Sequence, residues 1–285
     1  MLLSLVFDEL AVVLAGPGVP PARADARDLI AAMLAKPKFW PTANQSLDLD
    51  PATTAAIRAA GANMARGMPM QYAVGRAAFR HLDLHVDPRV LIPRPETEML
   101  VELVLGLVGR GGGTVADIGT GSGAIALALA SEGTFDRIIA TDLSDDALDV
   151  ARGNLATIPP EKQPLVEFRR GNLLEPLEGV PVRAIVSNPP YISPAEEGDL
   201  PPGVRDWEPS LALFSDEDGM AAVRGIVRGA AVVLEPGGLL AVEIDSRRAG
   251  LARECAETDS RFRDVEIRTD LTGRERFLVA RRQER

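Results

Sequence analysis

The spacing of hydrophobic residues has a helical period in the first quarter of the chain. Apolar positions recur every third or fourth residue in segments 2–14, 22–34 and 51–66. This spacing places them on one face of an α-helix. Asp50 directly precedes Pro51, a pair of residues that commonly begins a helix. The pattern predicts a small all-α domain over residues 1–75.

Between residues 71 and 91 the spacing changes to alternation. Phe79, Leu82, Leu84 and Val86 are interspersed with polar residues. A period of two is typical of half-buried β-strands. We expect a hairpin linker over residues 76–90, followed by a second domain over residues 91–285.

From Glu96 onward, runs with a helical period alternate with short apolar runs. This alternation predicts a parallel sheet covered by helices on both faces. Two final segments, 262–269 and 275–281, flank a short turn with Gly273 and predict an antiparallel pair at the sheet edge. The other expected elements are helices 96–109, 122–132, 144–156 and 218–234, and strands 114–118, 137–142, 165–169, 182–187 and 238–244.

Composition narrows the classes of partner. The formal net charge is −10 and the pI is near 4.9, which argues against affinity based on a basic surface meeting nucleic-acid phosphates. One cysteine and two histidines, Cys255, His81 and His85, lack the spacing of metal ligands, so no metal is expected. The sequence has no segment typical of a membrane span or signal peptide. We therefore expect a cytoplasmic enzyme with no membrane partner and no direct nucleic-acid substrate.

The first chemical motif is VADIGTGSGAIALALA, residues 115–130. A strand ending near Asp117 leads into Gly119-Thr120-Gly121-Ser122-Gly123 and then an apolar helix. Glycines allow a tight turn and let a ligand approach the backbone beside a helix N-terminus. The G-x-G-x-G spacing lacks the third glycine of the dinucleotide fingerprint, which disfavours NAD. A purely structural strand-to-helix turn is the alternative.

Polar residues also follow the next two strands. Asp142 ends a strand where a carboxylate can accept hydrogen bonds from both ribose hydroxyls, while Ser144 can cap the following helix. Asn172 and Leu173 end another strand, where an amide oxygen can accept from an adenine amino group and an apolar side chain can cover the ring. Together with the glycine loop, these residues outline a site for S-adenosylmethionine.

The sequence SNPPYI, residues 187–192, ends a further strand. Asn188 offers a side-chain oxygen, and the carbonyl of Pro189 a second acceptor, held in place by Pro189 and Pro190. Tyr191 offers a flat face for a planar amide or base. Two acceptors can hold the N–H groups of a planar nitrogen while it faces a methyl donor. A structural turn is the alternative to this catalytic role.

Six motifs resemble those of the PrmC/HemK family of peptide chain release factor glutamine methyltransferases: QYAVG (71–75), LIPRPETE (91–98), DIGTGSGAIALALA (117–130), NPPYI (188–192), WEPSLAL (207–213) and LEPGGLLAVEI (234–244). The resemblance implies a class I S-adenosylmethionine-dependent methyltransferase fold, Rossmann-like with a mainly parallel seven-stranded sheet. It also implies N5-methylation of the glutamine in the release factors' Gly-Gly-Gln loop.

The same resemblance implies residue roles. Asn188 to Tyr191 would hold the glutamine. Gly119 to Gly123 and Asp142 would bind the cofactor, and Leu173 would lie beside its adenine. Arg94, Glu96 and Thr97 would lie near the site entrance, and residues 1–75 would help to grip the release factor. Asn172 stands where the family often has Asp, and Asp245 where it usually has Gly.

Three other interpretations stay open at the level of sequence. A methyltransferase acting on a glutamine of a large-subunit ribosomal protein would share nearly every motif. An adenine amino-group methyltransferase would use the same Asn-Pro-Pro-Tyr chemistry on a flipped base. The fold could also bind its cofactor only to scaffold a partner.

Overall fold

The structure is a computed structural model that describes residues 1–16, 19–108 and 112–284. These residues form two compact units. One comprises residues 1–76 with residues 201–207, and the other comprises residues 77–200 with the chain from residue 208 onward.

The first unit is helical, as the sequence predicts. Leu10, Leu29 and Ile57 are buried in its core. A Cβ placed on Gly61 would lie 2.3 Å from a methyl of Leu10, so glycine lets α4 pack closely against α1. Asp50 caps α4, because its carboxylate accepts the Thr53 N–H at 2.9 Å. The helices are α1 (Leu3–Ala15), α2 (Arg23–Met33), α3 (Trp40–Ala43), α4 (Pro51–Ala65) and α5 (Met70–Val74).

The expected hairpin consists of β1 (Arg76–Phe79) and β2 (Leu82–His85), which form a two-stranded sheet. Phe79, Leu82 and Leu84 belong to the hydrophobic core of the second unit. The alternation in the sequence therefore marks the face of the hairpin that packs against this core.

The second unit is built on a seven-stranded sheet in the order β5-β4-β3-β6-β7-β9-β8. The first five strands in this order are parallel, and β9 runs antiparallel to both β7 and β8. The predicted α/β fold with an antiparallel pair at the edge is confirmed. The strands are β3 (Thr114–Ile118), β4 (Arg137–Asp142), β5 (Val166–Arg170), β6 (Val182–Ser187), β7 (Leu234–Glu243), β8 (Phe262–Thr269) and β9 (Glu275–Arg282).

Helices cover both faces of this sheet, and successive strand residues point to opposite cores. Val115 packs with one hydrophobic cluster, while its neighbour Ala116 packs with the other. The helices and helical turns that follow β2 along the chain are α6 (Pro95–Val108), α7 (Ala124–Glu132), α8 (Asp145–Asn154), α9 (Pro202–Arg205), α10 (Ser210–Leu213), α11 (Asp216–Gly219), α12 (Ala221–Val233) and α13 (Ala249–Glu257), of which α9 belongs to the first unit. The predicted end of α6 at residue 109 lies outside the described residues.

Several boundaries differ from the sequence prediction. β7 begins at Leu234 rather than residue 238, because the strand continues through an irregularity at which its register with β6 shifts. Helix α12 begins at Ala221 rather than residue 218, since Glu217 and Asp218 have positive φ angles of 53° and 56°. The short helix α9 groups with the helical unit, an arrangement that no sequence pattern indicates. No helix among the described residues is long and apolar enough to cross a membrane.

Candidate active site

The carboxyl ends of β3, β4, β5 and β6 meet at one edge of the parallel sheet. β3 lies between β4 and β6, so the order of strands reverses there. Open α/β sheets bind ligands in the crevice outside the strand ends at such a reversal. The residues that the sequence singles out follow these four strands.

The glycine loop follows β3. The N–H groups of Gly119 and Thr120 donate to the Thr141 carbonyl at 2.9 and 2.8 Å. Gly119 and Gly121 have φ angles of 73° and 55°, which side chains disfavour. A Cβ on either would meet nothing within 4 Å, whereas a Cβ on Gly123 would lie 3.1 Å from the nearest side-chain atom. The first two glycines are therefore required by the backbone and leave open space beside it.

Asp117 lies fully buried in β3. Its Oδ2 accepts hydrogen bonds from Thr120 Oγ1 at 2.7 Å and from Ala126 N at 3.1 Å. Its Oδ1 is buried with no hydrogen-bond partner among the described residues. Burial raises the pKa of the Asp117 carboxyl to about 7, against these two hydrogen bonds, and the charge of Asp142 adds to the rise. The carboxyl ties the loop to α7 and keeps one unsatisfied oxygen.

Asp142 lies at the end of β4. Its two oxygens accept from the N–H groups of Gly121 and Ser144, each at 2.9 Å. Ser144 caps α8 by accepting the Ala147 N–H at 3.2 Å. Burial raises the pKa of the Asp142 carboxyl although these backbone donors oppose the rise. Each carboxylate oxygen has further lone pairs, so the side chain can still accept from a ligand.

The segment after β5 contributes Asn172 and Leu173. Asn172 is exposed, and Leu173 is half-buried with a φ angle of 47°. A Cβ placed on Gly225 would lie 2.4 Å from a methyl of Leu173, so this glycine gives the leucine room against α12. Both residues line the same cavity as the glycine loop.

A hydrogen-bonded chain connects Asn188 to the interior. Asn188 Nδ2 donates to Thr97 Oγ1 at 3.0 Å, and Thr97 Oγ1 donates to Glu243 Oε2 at 2.8 Å. Thr97 lies in the first turn of α6, and Glu243 is the last residue of β7. Burial raises the pKa of the Glu243 carboxyl to about 7, although the Thr97 hydroxyl and Arg276 lower it. Residues of two other elements, α6 and β7, thus fix the amide of Asn188.

The residue directly after the Asn-Pro-Pro-Tyr turn, Ile192, is anchored by backbone hydrogen bonds. Ile192 N–H donates to the Leu213 carbonyl at 3.0 Å, and Ser215 N–H donates to the Ile192 carbonyl at 2.8 Å. The Tyr191 hydroxyl lies 3.4 Å from Glu243 Oε1. Burial raises the pKa of the Tyr191 phenol, so it stays protonated at physiological pH.

These strand ends surround one cavity of about 650 Å³. A volume of this size suits a cofactor-sized ligand. Asp117, Gly123 and Tyr191 are not among its described lining residues, so a stacking role for Tyr191 stays a prediction. The predicted residues that do line it are Gly119, Thr120, Gly121, Ser122, Asp142, Asn172, Leu173, Asn188, Pro189 and Pro190.

The residues expected at the entrance have distinct positions. Arg94 lines the cavity and pairs with Glu208, with 2.6 Å between Nη2 and Oε1. Thr97 lines the cavity and bonds Asn188, as described above. The charge of Glu96 contributes to the raised pKa of Glu243.

Glu243 is the residue that sequence reasoning did not single out. Its side chain is 1% exposed, and it follows the buried strand residues Leu239 to Val242. A carboxylate that ends such an apolar run costs free energy unless it is hydrogen-bonded. This position in LLAVEI is the signal that could have marked it.

Comparisons with known proteins identify the family. A family model described as "Methyltransferase small domain" matches residues 96–199. The chain is 41% identical to a release factor glutamine methyltransferase of Moorella thermoacetica over 275 residues, which are 95% of each protein. The chain belongs to the release factor glutamine methyltransferase family. It is also 43% identical to a protein of that name from Mycolicibacterium smegmatis, over 82% of each chain.

A solved structure shares the fold of this family member. The methyltransferase from Pyrococcus furiosus superposes with a TM-score of 0.54 at 19% identity, covering 72% of this chain and 91% of that one. Family membership confirms the resemblance found in the motifs, and with it the methyltransferase activity. It favours a release factor glutamine methyltransferase over the ribosomal-protein and adenine alternatives.

Proposed function

We propose that this protein transfers a methyl group from S-adenosylmethionine to the side-chain amide nitrogen of the glutamine in the Gly-Gly-Gln loop of peptide chain release factors. The observation that carries the proposal is the position of two free acceptors. Asn188 Oδ1 and the Pro189 carbonyl accept no hydrogen bond from the described residues, and both residues line the cavity shared with the glycine loop.

The residues present fit S-adenosylmethionine. Open space beside Gly119 and Gly121 allows close approach to the backbone. Asp142 has lone pairs for the ribose hydroxyls, and Asn172 and Leu173 offer a polar and an apolar contact for adenine. Asp117 lies outside the described lining of the cavity, and its carboxyl supports the glycine loop through Thr120 Oγ1 and Ala126 N. The bound cofactor supplies an electrophilic methyl group on a sulfonium.

The chain's own contribution is to position the acceptor. An amide nitrogen is a poor nucleophile because its lone pair is delocalised. In the proposed complex, Asn188 Oδ1 and the Pro189 carbonyl accept its two N–H groups and aim its remaining face at the methyl donor. Orientation of this kind can lower a barrier by roughly 7–11 kcal/mol, so no strong base is required. The proton leaves after transfer, when the nitrogen is most acidic.

Residues 1–75 are proposed to help grip the release factor. The support is that the relatives named as release factor glutamine methyltransferases match 95% of this chain in one case, so the match includes most of the helical region. A protein substrate needs contacts beyond one glutamine, since a single side chain buries too little surface for a stable protein–protein interface.

The test uses purified protein, S-adenosylmethionine and a recombinant release factor. Peptide mass spectrometry should show a gain of one methyl group on the Gly-Gly-Gln glutamine. Asn188→Ala should reduce the initial rate by about 10²- to 10³-fold, because one transition-state acceptor is lost. A release factor lacking that glutamine is the substrate control. No gain, despite measurable cofactor binding, would exclude release factors as the substrate.

A further inference from the structure

The buried hydrogen-bonded chain from Asn188 to Glu243 has a direction. An ionised carboxylate only accepts hydrogen bonds, so the Thr97 hydroxyl must give its single proton to Glu243. Thr97 Oγ1 can then only accept from Asn188, and the group it accepts from is the Nδ2 amide. The other terminal atom of the Asn188 amide, Oδ1, is therefore free to accept a hydrogen bond from a ligand.

This direction decides what Asn188 can recognise. With Nδ2 held by Thr97, the free acceptor Oδ1 can receive an N–H of a glutamine amide. If the amide turned over, Nδ2 would meet that N–H donor instead, and two donors cannot bond each other. One buried carboxylate therefore determines which end of the Asn188 amide is offered.

We propose that Glu243, acting through Thr97, is a positioning residue that holds the Asn188 amide with Oδ1 toward the acceptor nitrogen. Thr97 is 4% exposed and Glu243 is 1% exposed, so water does not compete for these bonds. The inference rests on the proposed function for the identity of the acceptor, but the orientation of Asn188 is a property of the protein alone.

The charge state of Glu243 matters because a protonated carboxyl can donate a hydrogen bond to Thr97. The Thr97 hydroxyl could then donate to Asn188 Oδ1, and the orientation of the Asn188 amide would no longer be fixed. Charged and titratable groups face it from each neighbouring element. Glu96 of α6 raises its pKa, while Arg276 of β9 and the Tyr191 hydroxyl lower it. With a pKa raised to about 7 by burial, protonation of Glu243 occurs within the range in which activity is assayed.

The first test removes the Thr97 hydroxyl, which connects Asn188 to Glu243. Thr97→Val keeps the shape of the side chain but neither donates nor accepts, and Thr97→Ser keeps the hydroxyl. At saturating cofactor, kcat on the release factor should fall roughly 10- to 100-fold in Thr97→Val, as expected when a reacting group is misplaced. Thr97→Ser should stay within about threefold of the wild type, and the cofactor Kd should change less than about threefold in both.

A stability control separates positioning from folding. Thr54 of α4 is also 4% exposed, and its hydroxyl bonds the Asp50 carbonyl. Thr54→Val therefore measures the loss of Tm caused by removing an equally buried hydroxyl. Thr97→Val should lose a similar Tm but far more kcat. Loss of kcat only in proportion to unfolded protein would overturn the proposal.

Glu243 is tested by its pH profile. For the wild type, kcat at saturating cofactor should rise as pH increases through about 7, following ionisation of Glu243. Glu243→Gln cannot ionise, so its kcat should be lower at alkaline pH and lack this rise. A rise with the same midpoint in Glu243→Gln would assign the titration to another group and overturn the role of Glu243.

A spectroscopic readout keeps this inference independent of the substrate. The Asn188 side-chain NH₂ signals, assigned by their absence in Asn188→Ala, should exchange slowly with solvent in wild type and Thr97→Ser. They should exchange faster in Thr97→Val. If no release factor is methylated but these signals behave as expected, the proposed function fails while the positioning stands. Unchanged Asn188 signals in Thr97→Val would overturn the positioning.

Discussion

Arg94 Nη2 lies 2.6 Å from Glu208 Oε1, and this ion pair joins the chain just before α6 to the segment that precedes α10. The Glu208 side chain is 1% exposed and that of Arg94 is 32% exposed. Burial raises the pKa of the Glu208 carboxyl, although the charge of Arg94 lowers it. The pair therefore compensates only part of the cost of burying the carboxylate.

Removing Arg94 alone should destabilise the protein more than removing both partners. Arg94→Met leaves an unpaired buried carboxylate, and we expect a loss of about 1–3 kcal/mol in the free energy of unfolding. Arg94→Met combined with Glu208→Gln should regain part of that loss. Urea denaturation of the single and double variants measures both. A double variant less stable than Arg94→Met would show that Glu208 does not depend on the pair.

Stability should fall as pH rises toward neutrality. The pKa values of Asp117 and Glu243 are both raised to about 7, so between about pH 4.5 and 7 the folded state binds protons that the unfolded state has released. Their contribution is greatest below the unfolded pKa and is lost as pH increases through the folded pKa. This direction is opposite to that of a carboxylate stabilised by a salt bridge.

Glu243→Gln checks this linkage. The variant lacks the ionisation, so its urea midpoint relative to wild type should increase between about pH 5 and pH 8. We expect the two proteins to differ least at the acidic end. Added salt at each pH distinguishes long-range surface charge, which salt screens, from this buried group. A relative midpoint that is constant with pH would contradict the raised pKa of Glu243.

Replacing Gly121 in the glycine loop should affect both the stability of the protein and its affinity for the cofactor. Gly121 has a φ angle of 55° and space for a Cβ, so Gly121→Ala should cost about 1–2 kcal/mol from backbone conformation alone. The new methyl group would also enter the cavity and weaken cofactor binding. Calorimetry should show a Kd for S-adenosylmethionine raised by about tenfold or more, equivalent to about 1.4 kcal/mol.

Gly153 provides the matched control for that variant. It lies within α8, and a Cβ there would also meet nothing within 4 Å. Gly153→Ala should stabilise the protein by up to about 1 kcal/mol, because alanine has the higher helix propensity. Its cofactor Kd should match wild type. Equal cofactor affinities in the two alanine variants would show that the space beside Gly121 is not part of the cofactor site.

The fold followed from the sequence because periodicity and strand-end motifs are local signals. Asp117, Asp142 and Asn188 could be expected at one edge, since parallel strands end together. The hydrogen bond between Thr97 and Glu243 could not be expected from the sequence. The two residues are 146 positions apart, and the local sequence around each gives no sign of the other. The start of β7 was also missed, since Pro236 and two glycines are typical of a turn rather than a strand irregularity.

Asp245, at which the sequence departs from the motif it resembles, is held by two arginines. Its carboxylate accepts from Arg247 Nη2 at 2.6 Å and Arg248 Nη1 at 2.7 Å, and both arginines also pair with Glu196. Despite its burial, the hydrogen bonds and charges of these arginines lower the pKa of Asp245. It is not among the described residues that line the cavity. Its function is therefore expected to be structural.

Asp245→Gly, which removes the carboxylate, should reduce the free energy of unfolding by about 1–3 kcal/mol and leave the cofactor Kd within about twofold of wild type. Because the Asp245 pKa is lowered, the stability difference should be present at neutral pH and shrink as pH falls through the folded pKa. Urea denaturation and calorimetry measure the two quantities on the same protein. A variant with unchanged stability but weaker cofactor binding would instead place Asp245 in the cofactor site.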